Sequence, residues 1–429
     1  MKITKIEAHE ILDSRGNPTL KTTVVLEDGS TGWAAVPSGA STGKYEAHEL
    51  RDKDEKRFLG MGVLKAIENV QGDISKVVVG MDAEDQEALD LKMIEADGSK
   101  DKSKLGANAI LSISLSASRA QSTFEKKSLF EYLSKYNPHF DGHYILPIPQ
   151  MNIMNGGRHA NWAVDMQEYM ILPIGAKNVT DAIRVGSEIY HVLQSILREE
   201  GLTTAVGDEG GLAPSLDTNE APLHFISLAV ERAGYMLGKD IYLGLDAAAS
   251  ELKRDGGYFL RKTGKSYTST ELAEVYDQFR SKYPIISMED IFDQDDWEGF
   301  QVYTKKNGKA LQIVGDDLYT TNVLRIKKGI DTKATNAVLI KPNQIGTLSE
   351  TIDAILLAKD NNLSAIISHR SGETEDPFIA DLAVAMGCGQ IKTGAPCRSE
   401  RTVKYNRLMH IERKVGDKGT YASFPFHLQ

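Results

Sequence analysis

Two apolar-rich runs near the start of the chain, "LKTTVVLE" and "TGWAAVP", are separated by "DGS", and an Asp-Gly step between alternating runs is a strong hairpin signal. With the opening "MKITKIEAHEILDSRG", read as a first strand, they predict a three-stranded antiparallel meander. After the loop "PSGASTGKYEAHELRD" the apolar period becomes helical, and helices are predicted over about residues 61–72, 82–96 and 106–124. Residues 1–138 therefore read as an α+β N-terminal cap domain. The segment "YNPHFDGHYILPIPQ" collects Pro138, Gly142, Pro147 and Pro149 and marks the domain crossing. Over residues 139–429 short apolar runs alternate with helical patterns, the arrangement that forces parallel strands joined by crossover helices. Two helix starts are announced locally, by the capping-box spacing "TSTE" from Thr268 to Glu271 and by Asp376-Pro377. No internal repeat or low-complexity tract is present.

What ends each apolar run carries the chemistry. "IYLGL" is followed by Asp246, "IISM" by Glu289, "QIVG" by Asp316, "AVLI" by Lys341, "AIIS" by His369 and Arg370, and "QI" by Lys392. Any one of these alone would be a solvated loop residue. Six spaced by one strand-helix unit each predict the C-terminal rim of a (β/α)8 barrel, where distant residues share one pocket.

Asp246, Glu289 and Asp316 form an all-oxygen set that favours magnesium over zinc. Lys341 and Lys392, close to each other and to a divalent cation, would find the ammonium form disfavoured, so at least one should have a lowered pKa and serve as a base. "AVGDEGGLAP" puts Glu209 beside a Gly-Gly pair, as a candidate acid. Metal, lysine base and carboxylic acid suit proton abstraction beside a carboxylate, a step that needs cations already in place. Arg370 and Ser371 of "SHRSGETEDPF" offer a fork of donors for a phosphate.

Composition narrows the class. The chain has 429 residues, 41% of them hydrophobic and 26% charged, no apolar stretch near the length of a membrane span, and no apolar segment resembling a secretory signal. Two cysteines, Cys388 and Cys397, make no disulfide framework and suit a reducing compartment, so a cytoplasmic location is expected. A net charge of −10 argues against a specific nucleic-acid surface.

"VPSGASTG", "LGANAIL", "MNIMNGG", "GDEGGLAP", "LGLDAAASE", "VGDDL", "KPNQIGTL", "SHRSGETED" and "GQIKTGAPCRSER" together, in this order, resemble the enolases (phosphopyruvate hydratases) of bacterial type over nearly the whole chain. The resemblance implies an α/β fold, a modified (β/α)8 barrel behind an α+β cap. It also implies reversible dehydration of 2-phosphoglycerate to phosphoenolpyruvate with two magnesium ions per site. A lysine or histidine base with one or two magnesium ions is the general property of that superfamily, not a deduction from this chain. Carried over by motif, Lys341 resembles the base at C2, Glu209 the acid at the C3 hydroxyl, and Asp246, Glu289 and Asp316 the ligands of the first magnesium. Lys392 resembles the cation holding the substrate carboxylate, and Arg370 and Ser371 the phosphate contacts. His159, Glu168 and His369 match further active-site positions, with Glu168 supporting Glu209. Ser41 resembles a mobile-loop serine that meets the second magnesium. The family implies homodimers and, in some members, octamers.

The chain departs from the usual pattern at Ala96, Asn161, Trp162 and Ile291, and Pro342 biases Lys341 toward extended backbone. Two alternatives stand. A racemase or lactonising enzyme of the same superfamily would carry a Lys-x-Lys motif where "GDEGG" stands. An additional surface-binding role, with a cell-surface or secreted pool, would call for a feature such as C-terminal lysines, and the chain ends "FPFHLQ".

Overall fold

The computed structural model describes residues 1–40, 43–254 and 256–426. β1 (Ile3–Leu12), β2 (Pro18–Leu26) and β3 (Thr31–Ala35) pair antiparallel in that order. Leu20, Thr22, Val24 and Leu26 alternate onto one buried face of β2, which packs on the helix Ala107–Phe124. That helix is rich in alanine and serine, and a Cβ at Gly32 would lie 2.3 Å from the Ser116 carbonyl oxygen, so only glycine lets the sheet come this close. The second predicted helix forms at Gln86–Asp97, where Asp85 accepts from the Ala88 N–H at 3.1 Å. The first is shifted and longer than its pattern: Leu64–Asn69 passes through a widened turn, Val70–Ile74, into Ser75–Val78.

β4 (Tyr144–Leu146) leads into β5 (Ile148–Asn155), β6 (Glu168–Leu172) and β7 (Tyr242–Asp246). A small antiparallel meander of β8 (Lys253–Arg254), β9 (Gly257–Leu260) and β10 (Lys265–Tyr267) follows. β11 (Ile285–Glu289), β12 (Gln312–Gly315), β13 (Ala337–Ile340), β14 (Ser364–Ser368) and β15 (Gln390–Lys392) complete a closed barrel with β5, β6 and β7. Last, β16 (Gly419–Tyr421) pairs with β4. The expectation of parallel strands with crossover helices fails at β6, which runs antiparallel to both β5 and β7. It is joined to β5 without a crossover helix, and a direct connection can only reverse the chain. Thr268 forms its capping box with Glu271; the later helix begins at Phe378, whose N–H reaches Asp376 at 3.0 Å, one position after the predicted proline.

The N-terminal layer roofs the barrel rim. Ser38 N–H bonds Gly372 O at 2.7 Å and Ser14 N–H bonds Glu373 O at 2.8 Å, both onto the loop after β14. Arg119 grips Asp376 at 2.7 Å, Lys102 meets Glu350 at 3.0 Å, and Asp90 accepts from the Ser349 N–H at 2.9 Å. Among the described residues, no helix is long and apolar enough to cross a membrane.

Candidate active site and metal centre

Asp246, Glu289 and Lys392 are the last residues of β7, β11 and β15, so barrel closure carries all three to one rim. Glu168 is the first residue of β6, and because that strand is reversed it stands opposite Asp246, which in turn stands opposite Glu289. Asp316, Lys341 and His369 to Ser371 follow β12, β13 and β14 directly. His159, Glu168, Glu209, Asp246, Asp316, Lys341, His369, Arg370, Ser371 and Lys392 line one small cleft, and the buried Glu289 contacts its Lys392. Ser41 lies outside the described residues. A wider recess beside Tyr421 and Phe424 lies elsewhere on the surface, and its Glu412 carboxylate is occupied by the Val179 and Thr180 N–H groups at 2.7 and 3.0 Å.

Lys392 is the hub. Its ammonium lies 2.7 Å from Glu289 Oε1, 3.0 Å from Glu168 Oε1 and 3.2 Å from Asp246 Oδ2. Lys341 bonds Asp316 Oδ2, whose other oxygen accepts from Gln344 at 2.8 Å. A lysine with a lowered pKa was expected here, and the protein's own groups produce the opposite. Burial works against both ammonium groups, yet Asp316 carries Lys341 above its ordinary value, and Glu168, Glu289 and Asp246 carry Lys392 well above. The directly contacting carboxylates outweigh the neighbouring cations.

Five buried carboxylates, of Glu168, Glu209, Asp246, Glu289 and Asp316, face two lysines. Burial, then Asp246, pushes Glu289 well above the usual carboxylate range, and burial, then Glu209, does the same to Glu168. Glu168 Oε2 and Glu289 Oε2 are buried with no hydrogen-bond partner. Excess negative charge, hard oxygen donors and orphaned lone pairs fit a divalent cation of the magnesium type. The oxygens of Asp246 and Glu289 flank the Lys392 ammonium, and carboxylate oxygens of Asp290, Asp316 and Asp317 lie within 4.8 Å of one another. Asp290 spends both its oxygens on the Asp316 and Asp317 N–H groups, at 2.9 and 2.8 Å, so its first task is to hold that loop.

Around Glu209 the partners are neutral or cationic. Oε2 accepts from Asn152 at 2.8 Å; Oε1 lies 3.4 Å from His159 Nδ1 and 3.5 Å from His369 Nε2. Burial alone would raise this carboxyl, but His159, then His369 and, after them, Arg401 hold it well below the usual range. His369 is kept neutral, first by burial. Ligating atoms of His159, Glu168 and Glu209 all lie within 4.8 Å of one another. In the closed ring β13 and β6 stand diametrically apart, so Lys341 and Glu168 face each other across the mouth.

Arg370 is gripped by Glu46 at 2.8 and 3.1 Å and by Asn343 Oδ1 at 3.0 Å, and Ser371 Oγ accepts from Ala40 N–H at 2.6 Å. Glu46, Gln344, Asn152 and Arg401 escaped the sequence reading. Glu46 follows the Gly-Ser loop as an ordinary surface-like acid, and only the roofing of the rim shows its partner. Lys341 has the extended backbone expected before Pro342, with φ −128° and ψ 108°. Asn161 and Trp162 both take positive φ, 48° and 62°, and Arg261 stacks 3.3 Å from the Trp162 ring.

Residues 3–133 match the family model of the enolase N-terminal domain, and residues 143–428 match that of the enolase C-terminal TIM barrel domain.

Proposed function

Because the chain belongs to the enolase family, we propose that it dehydrates 2-phosphoglycerate reversibly to phosphoenolpyruvate, as a carbon-oxygen lyase. The observation that carries this reading is the division of one buried cleft into a lysine side, Lys341 with Asp316, and an acid side, Glu209 with Glu168 and two histidines. Elimination needs such a division, since the C2 proton and the C3 hydroxyl leave from different atoms.

In this reading Lys341 removes the C2 proton once Asp316 is engaged elsewhere and no longer stabilises its ammonium. Magnesium, two ions per site, would be held by Asp246, Glu289 and Asp316 and by Ser41, and supplies positive charge against the substrate carboxylate as that proton leaves. Lys392 holds the same carboxylate. Arg370 and Ser371 bind the phosphate, Arg370 by exchanging the Glu46 carboxylate for phosphate oxygens. Glu209 protonates the departing hydroxyl. Its own environment favours the ionised form, so it must take up a proton before that step. His159 and His369 orient Glu209.

A cytoplasmic homodimer, or an octamer of such dimers, divided at residues 138 and 139 belongs to the same proposal, as does the absence of a nucleic-acid partner; light scattering of the purified protein tests the oligomer. The reaction is tested by absorbance of phosphoenolpyruvate formed from 2-phosphoglycerate, with and without magnesium, beside Glu209→Gln and Lys341→Ala. Glu209→Gln should still exchange the C2 proton with solvent while forming no product; the reverse pattern would exchange the two roles, and no turnover by the unmodified protein would reject the reading.

A further inference from the structure

Arg401 lies fully buried on the first turn of the helix Ser399–Val415. Among the described residues no carboxylate hydrogen-bonds its guanidinium, and the ion pair with Glu400 is a long one, Oε1 lying 3.6 Å from Nε. A buried guanidinium without such a partner is costly, and here carbonyl oxygens and one imidazole offset the cost. Nη1 donates to Arg370 O and to His369 Nδ1, both at 2.5 Å, and Nη2 donates to Ser371 O at 2.5 Å and to Asp208 O at 3.1 Å. Three of these acceptors belong to the loop after β14, and the fourth is the residue before Glu209.

The contact to His369 has a chemical consequence. Arginine has only donors and does not lose its proton, so the ring nitrogen facing it can only accept. A neutral imidazole that accepts at Nδ1 carries its proton on Nε2. His369 Nε2 is buried, has no hydrogen-bond partner, and stands 3.5 Å from Glu209 Oε1. The ring is also confined on its other side, since a Cβ at Gly394 would lie 3.1 Å from His369 Cε1 and 2.9 Å from Arg401 Cδ.

We propose that Arg401 is a positioning residue that fixes the His369 tautomer, with its single proton on Nε2 directed at Glu209, and thereby serves departure of the C3 hydroxyl rather than removal of the C2 proton. The second half rests on the proposed dehydration; the first does not. The logic is that of any orienting group that sets an imidazole's tautomer for a neighbour.

The test uses the full-length protein labelled with 15N-histidine, unmodified and as Arg401→Met and Arg401→Lys, with His369→Gln to assign the signal. The unmodified protein should show His369 protonated on Nε2 at neutral pH. Arg401→Met should give a mixture of tautomers and lower phosphoenolpyruvate formation by about 100-fold, with C2 deuterium exchange retained within about threefold. Arg401→Lys, whose ammonium still donates, should recover the tautomer and part of the rate. A proton on Nδ1, or an imidazolium, in the unmodified protein overturns the proposal whatever the variants do, including a failure of Arg401→Met to fold. An unchanged tautomer in Arg401→Met, or equal losses of exchange and dehydration, also overturns it. If the unmodified protein does not dehydrate 2-phosphoglycerate, the functional reading fails while the nitrogen shifts still decide what Arg401 does to His369.

Discussion

The barrel interior holds two polar levels that differ in one respect. Lower down, Gln150 donates to Gln390 at 2.8 Å, Gln390 and Gln312 exchange amide bonds at 2.7 and 3.0 Å, and Gln312 also reaches Ser287 at 2.9 Å. Two residues further along the same strands stand Asn152, Lys392 and Glu289. The lower level is neutral, and none of its glutamine amide atoms is among the buried atoms without a partner. The upper level is charged, and Glu168, Glu289, His159 and His369 all keep unpartnered buried atoms. Amides that satisfy one another lock a shape. Charges left incompletely matched are a standing cost that a ligand can relieve, so the difference separates the part of the core that holds the barrel from the part that binds.

The strongest way to break this contrast is at the rim. Lys341→Ala should lower phosphoenolpyruvate formation by about 10⁴-fold and abolish C2 exchange, read by absorbance and deuterium loss, with a lower melting temperature because Asp316 loses its buried partner. Retained exchange would remove Lys341 from the base role. Next comes the cation: magnesium at about 100 times its Kd should stabilise the folded protein by about 2.7 kcal/mol, and Glu289→Gln should erase most of that gain in a melting titration with a chelator control. A Gln390→Leu variant should keep the magnesium shift.

That floor variant itself should cost about 2 kcal/mol in urea denaturation, because Gln150 and Gln312 lose their partner, while kcat stays within a few-fold. If activity fell as far as in Lys341→Ala, the two levels would not be separable. The effect furthest from the chemistry, with no change in activity, concerns Asp90, a buried carboxyl outside the barrel, raised by burial from 3.8 to about 6. The folded state holds this proton more tightly than the unfolded chain, so the penalty is absent below about pH 4, grows as pH rises, and is complete above about pH 6. Asp90→Asn carries no such penalty. Its stability relative to the unmodified protein should therefore rise by about 3 kcal/mol across that window, the weakened Ser349 contact adding only a constant offset. A flat difference would show that polarity rather than charge sets the cost.

Much of the frame was legible locally. The Asp-Gly step between β2 and β3, the Thr268 capping box and the ionisable residues after each apolar run depend on near neighbours, and such preferences survive folding. Glu168 was reachable only by family likeness, because it opens its strand, and nothing in residues 168–172 announces a reversed direction. Glu46 and Arg401 were invisible for a related reason: their partners, Arg370 and His369, lie far along the chain, and one needed the N-terminal layer to close over the rim.

By itself, then, the sequence determined which side chains arrive at the mouth of the barrel, since strand length and alternation place the end of each strand. Only the tertiary structure decided how their charges balance. The direction of the Lys341 pKa depends on whether Asp316 or another cation is nearer, and energies of that kind are set by ångström distances between segments whose spacing no local pattern encodes.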